Sequence, residues 1–206
     1  EKAQIFNQDI SRWDVSSVET MSNMFEKAQA FNQDIGGWDV SRVENMTSMF
    51  KSAIKFNKDI SKWNVSKVVS MNRMFQAAQI FNQDISTKTV TLDNESTYIA
   101  WDVSSVENMK QMFKNAVSFN QDISGWDVSG VTNTNGINSM FASAVSFNQD
   151  ISGWNISNIT NFTNTFKGAI AFINGYGSGW IEDNTIPKPS LFWKINRICE
   201  DSQAMN

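Results

Sequence analysis

The chain has no histidine and a single cysteine, Cys199. Zinc sites of Cys/His type and an internal disulfide are therefore excluded. Without an imidazole, no side chain has an ordinary pKa suited to acid–base work near pH 7. The only prolines are Pro187 and Pro189, and the ten glycines form no phosphate-cradling loop. No apolar run approaches the roughly 18 residues that a bilayer span needs, and the first residues carry no signal-peptide pattern. The net charge is -4, with no block of lysine or arginine. That balance argues against nucleic acid or an anionic membrane surface as partner.

What the chain does have is repetition. The phrase Phe-Asn-x-Asp-Ile starts at Phe6, Phe31, Phe56, Phe81, Phe119 and Phe147, with a degraded copy at Phe172. The first four starts are 25 residues apart; later gaps are 38, 28 and 25. Self-similarity at such a period predicts one elongated body of stacked units. Residues 1–6 nearly repeat residues 26–31, so the chain is expected to be part of a longer array.

Two periods lie inside each unit. Trp13-Asp14-Val15 alternates apolar and polar residues, as do Trp38 to Val40, Trp63 to Val65, Trp101 to Val103, Trp126 to Val128 and Trp154 to Ile156. Alternation predicts a short half-buried strand. Val18, Met21, Phe25 and Ala28 then fall on one stripe of a 3.6-residue helix. Ser16 with Glu19, Ser41 with Glu44 and Ser104 with Glu107 have the spacing of a capping box.

Written as Ile-x-x-Trp-x-Val-x-x-Val-x-x-Met-x-x-Met-Phe-x-x-Ala, the unit resembles the leucine-rich repeats of BspA-like bacterial surface proteins, closest to their Met- and Trp-rich FNQDISxWDVSxVxxMxxMF repeats. The likeness covers roughly residues 1–172. It implies an α/β architecture: a right-handed β/α solenoid of leucine-rich-repeat type, with short parallel strands, short helices and a C-terminal cap. It also implies an extracellular or cell-surface bacterial setting, adhesion or protein binding, and no catalysis.

The expected organisation is a repeat body over 1–174 and a capping region over 175–206. Thirteen extra residues intrude between Ile85 and Trp101, where Thr87–Leu92 and Thr97–Trp101 are β-rich around the turn cluster Asp93–Ser96. They predict a β-hairpin over 86–100 projecting from the stack. A shorter insertion lies near Asn133–Gly136. Leu191, Ile195 and Ile198 share a helical face, and a helix near 190–202 is expected to cover the last unit.

Repetition turns each consensus residue into a column. The Phe, Trp and Met columns are expected in the core; the competing possibility is a carbohydrate-binding row of tryptophans. The asparagines Asn7, Asn32, Asn57, Asn82, Asn120 and Asn148 are expected to satisfy stacked backbone. Asp9, Asp34, Asp59, Asp84, Asp122 and Asp150 are expected to accept the N–H two residues on. Calcium is the alternative for that column, without any Gly-Gly-x-Gly-x-Asp loop to support it. A second polar column, Asp14, Asp39, Asn64, Asp102, Asp127 and Asn155, faces away from the Trp/Val side, with Arg12 and Lys62 beside it. It is the candidate binding face. The expected function is a non-catalytic interaction scaffold for a protein or glycan on a host or microbial surface, with no cofactor and no metal. A mechanical spacer that holds another domain away from the cell is the alternative.

Overall fold

The computed structural model describes residues 4–131, 136–159 and 162–176. Successive repeats stack one on another, and the bonds that join them recur with the repeat. In each unit every second N–H of the Met-x-x-Met-Phe segment donates to the next unit. Met21, Asn23, Phe25 and Lys27 donate to the carbonyls of Asn45, Thr47, Met49 and Lys51, at 2.7–2.9 Å. The same four bonds run from Met46, Ser48, Phe50 and Ser52, and again from Met71, Arg73, Phe75 and Ala77.

The intervening N–H groups close turns inside the unit. Met24 N–H donates to the Met21 carbonyl, Glu26 to Asn23 and Ala28 to Phe25. The third residue of two of these turns has positive φ: Asn23 at 60° and Lys27 at 61°. Ser48, Ser52, Arg73, Ala77, Gln111, Asn115, Ser139, Ser143 and Asn164 repeat the feature, and Gly168 takes the last such place. A positive φ at the third position alone is the arrangement of a type II turn.

This overturns the expected β/α solenoid of leucine-rich-repeat type. Among the described residues the regular elements are β1 (Lys88–Thr91), β2 (Thr97–Ala100) and α1 (Ile170–Tyr176), and β1 and β2 pair only with each other, antiparallel. The stripe Val18, Met21, Phe25, Ala28 is not helical, because a left-handed residue every fourth position breaks the α-helix. A ribbon of turns with a period of four places apolar residues almost where a 3.6-residue helix would. The capping boxes do not form either. Ser16 turns both its N–H and its hydroxyl toward Asp14, and Val18 N–H closes a turn on Val15.

The expected parallel strands at Trp-x-Val are absent too. That segment alternates inward and outward, with Trp38 and Val40 buried and Asp39 exposed, but the N–H groups of Trp13, Trp38, Trp63, Trp126 and Trp154 close local turns on the isoleucine three residues before, and Trp101 N–H alone reaches the preceding unit, at the Trp63 carbonyl. Parallel pairing occurs instead as isolated bridges, Thr20 to Asn45, Asn45 to Ser70 and Ser70 to Asn108.

The core is a set of aromatic files running through the stack. Phe6, Phe31, Phe56, Phe81, Phe119, Phe147 and Phe172 form one, with neighbouring rings 5.8–6.2 Å apart. Phe25, Phe50, Phe75, Phe113, Phe141 and Phe166 form a second at 5.5–5.8 Å. The two files touch at 3.9–4.2 Å. Trp38, Trp63, Trp101, Trp126 and Trp154 are buried, and each indole N–H donates to the isoleucine carbonyl of the unit before it, Ile10, Ile35, Ile60, Ile85 and Ile123. The ring gains apolar burial while its polar edge is satisfied.

The stack passes straight across the 86–100 insertion. Phe81 and Phe119, 38 residues apart, sit as ring neighbours at 6.2 Å, and Asn120 N–H reaches Asn82 Oδ1. The inserted hairpin does not project freely. Val90 and Tyr98 pack against the core cluster, and Tyr98 Oη–H donates to the Lys62 carbonyl at 2.5 Å. At the other end α1 begins within the repeat body and reaches into the region expected to form the cap. The proposed capping helix near 190–202, Cys199 and most of the 133–136 insertion lie outside the described residues.

Candidate functional site

The outer surface is shaped by polar ladders. Each asparagine of the Phe-Asn column accepts the backbone N–H of the next: Asn7 Oδ1 from Asn32, Asn32 from Asn57, Asn57 from Asn82, Asn82 from Asn120 and Asn120 from Asn148, at 2.8–3.0 Å. Gln33, Gln83, Gln121 and Gln149 add side-chain N–H bonds to the same asparagine column. The glutamine contribution was missed in the sequence, although glutamine follows the asparagine in five of the six copies.

Both acidic columns are held by the residue two positions on. Asp9, Asp34, Asp59, Asp84, Asp122 and Asp150 each accept that N–H at 2.8–3.1 Å. The candidate face repeats the geometry. Asp14, Asp39, Asn64, Asp102, Asp127 and Asn155 accept from Ser16, Ser41, Ser66, Ser104, Ser129 and Ser157 at 2.9–3.3 Å. One oxygen of each side chain is thereby pinned to the backbone. Asp14, Asp39, Asp127 and Asn155 are exposed, as are Arg12 and Lys62; Asn64 and Asp102 are half-buried. The stacking aligns the column into a ledge one residue wide per unit.

These bonds act on acidity. The Ser16 hydroxyl and N–H lower the Asp14 pKa, and Ser129 does the same for Asp127. In the other column the serine N–H and hydroxyl are the main cause of the lowered values of Asp9, Asp59 and Asp122. Partial burial works against ionisation at Asp84, but its bonds to Lys88 and Ser86 outweigh it and the value falls. Adjacent carboxylates are thus held charged by local donors, and among the described residues no group of three or more potential ligands is placed to hold a metal ion.

The hairpin was expected to project from the stack; instead it folds back beside this face. Tyr98 sits over Lys62, and burial followed by the charge of Asp39 raises its phenol pKa. Tyr98 therefore belongs to the surroundings of the ledge, a role no sequence pattern marked. The tryptophans do not. Trp63 and Trp101 are fully enclosed, and Trp13, in the first unit, is the exposed member of the column.

The ladders join successive copies of one repeated unit. The chain matches the family described as "Mycoplasma protein of unknown function, DUF285" over residues 1–98 and 88–204, and it belongs to that family. No curated protein and no solved structure matches it. Among the described residues no helix is long and apolar enough to cross a membrane.

Proposed function

We propose that the chain is a non-catalytic interaction scaffold at a bacterial cell surface, related to the BspA-like repeats, and that it binds a protein or glycan partner along the ledge from Asp14 to Asn155. One observation carries this reading. The six side chains are individually clamped by backbone N–H groups, so the row is pre-ordered and loses little freedom on binding. The alternative of a sugar site built on tryptophan is disfavoured by the burial of Trp38 to Trp154. The family description supports a bacterial source.

The test is an array of glycans and matrix proteins probed with the native chain and with Asp39→Ala, Asp102→Ala and Asp127→Ala combined. A ligand bound by the native chain and lost in the triple variant is the expected result. A ligand retained by the variant would place binding elsewhere, and silence on the whole array would favour a spacer role.

A further inference from the structure

Building on that binding role, we infer that β2 offers its free edge to an extended peptide flanked by basic residues, which joins the hairpin as a third strand beside the ledge. The register identifies the free groups. Leu92 N–H donates to the Ser96 carbonyl at 2.8 Å. Antiparallel ladders alternate bonded and non-bonded pairs. Val90 with Tyr98 and Lys88 with Ala100 are therefore the bonded pairs, while Thr89 with Ile99 and Thr91 with Thr97 are not. The N–H and C=O groups of Thr97 and Ile99 consequently point away from β1.

The next residue of that parity shows where this edge faces. Trp101 N–H donates to the Trp63 carbonyl at 3.1 Å, so the outer side of β2 is turned toward the preceding unit. The Tyr98 bond to Lys62 holds it there. Thr97 and Ile99 are both exposed, with Ile99 at 42%. Two strands alone are a marginal sheet, and an unpaired edge is a template for a further strand. Main-chain bonds then provide affinity and the flanking charges select the partner.

Those charges are acidic. Between Glu95 and Asp102 the chain carries no cation, and Asp39 lies close enough to act on the Tyr98 phenol. Glu95, Asp39 and Asp102 take part in no ion pair among the described residues. The nearby cations are Lys88, opposite Ala100 and paired with Asp84 at 2.6 Å, and the exposed Lys62, whose carbonyl holds Tyr98. A strand with lysine or arginine at both ends fits this edge; an acidic one does not.

The experiment titrates the isotope-labelled full chain with the capped peptide Lys-Val-Thr-Val-Thr-Lys. Amide exchange at Thr97 and Ile99 should slow at least tenfold at saturation. A peptide with glutamate at both ends should bind at least tenfold more weakly. Thr97→Pro removes an outward N–H and should abolish binding, whereas Thr91→Pro on the opposite edge should not. Glu95→Lys leaves the backbone untouched and should weaken binding about tenfold, which guards against a proline variant that merely loses the hairpin. Absence of binding, or binding without protection of Thr97 and Ile99, overturns the edge assignment. Perturbation confined to Asp127 and Asn155 overturns it while leaving the ledge reading intact.

Discussion

The two halves of the stack hold the same geometry with very different surfaces. Up to Lys114 the units carry mixed charges and cross-unit contacts, such as Lys51 to Glu26 at 2.9 Å and Arg73 Nε–H to Gln111 Oε1. From 115 to 166 there are three aspartates and no lysine, arginine or glutamate. Val117 and Val145 stand partly exposed at equivalent places there, and Ile170 takes the same place in the next unit. Yet ring spacings, asparagine ladder and indole bonds are the same on both sides. The stack is therefore specified by its buried files and neutral ladders, and the ion pairs are surface additions of small value.

The sharpest way to break this comparison is to cut the aromatic file once in each half. Phe50→Ala and Phe141→Ala should each cost about 3–5 kcal/mol, read from urea unfolding. A loss confined to one half would show that the files are not equivalent. The ladder comes next. Asn57→Ala and Asn120→Ala each orphan a backbone N–H and should cost about 1–3 kcal/mol. Asn57→Asp keeps an acceptor oxygen and should be milder, and equal losses for Asp and Ala would remove the ladder from the account.

Turn and helix are separated by Ala77→Gly. Ala77 has φ of 56°, so glycine should be neutral or stabilise by up to about 1 kcal/mol, as measured by the unfolding midpoint. In a helix the same change would cost about 1 kcal/mol. Acidification affects both halves. Asp59 and Asp84 on one side and Asp122 and Asp127 on the other have lowered pKa values. Their contribution is present above the ordinary carboxylate range and is lost as pH falls through the lowered folded values. Unfolding midpoints should thus hold from pH 7 to about 5 and decline below about pH 4, and a midpoint unchanged at pH 2.5 would contradict the serine clamps. The smallest effect is expected for Lys51→Met, below about 1 kcal/mol and fading in salt. Any larger loss would make the charged half depend on its ion pairs after all.

The repeat made part of this fold legible. Columns of phenylalanine, tryptophan, asparagine and aspartate could be read from the spacing of Phe6 to Phe147, and the bonds of Asp9 to Ser11 follow from their separation. Local conformation was another matter. Met21, Phe25 and Ala28 satisfy helical spacing, and only the left-handed backbone at Asn23 and Lys27 distinguishes turns from helix. Lysine, arginine and alanine do not advertise that conformation. Gly36 gives a related case: it stands where other units have serine, yet a Cβ there would lie 2.4 Å from the Asp59 carbonyl oxygen. The ledge was legible as a column, but Tyr98 could be assigned to it only once the hairpin was seen to fold back.

The contact between Phe81 and Phe119 has a practical meaning. Fifteen residues, thirteen more than in the other units, run between Ile85 and Trp101 without changing the spacing of the rings on either side. That junction is expected to work as a socket: a segment of another length grafted in place of 86–100 should leave the neighbouring units in register.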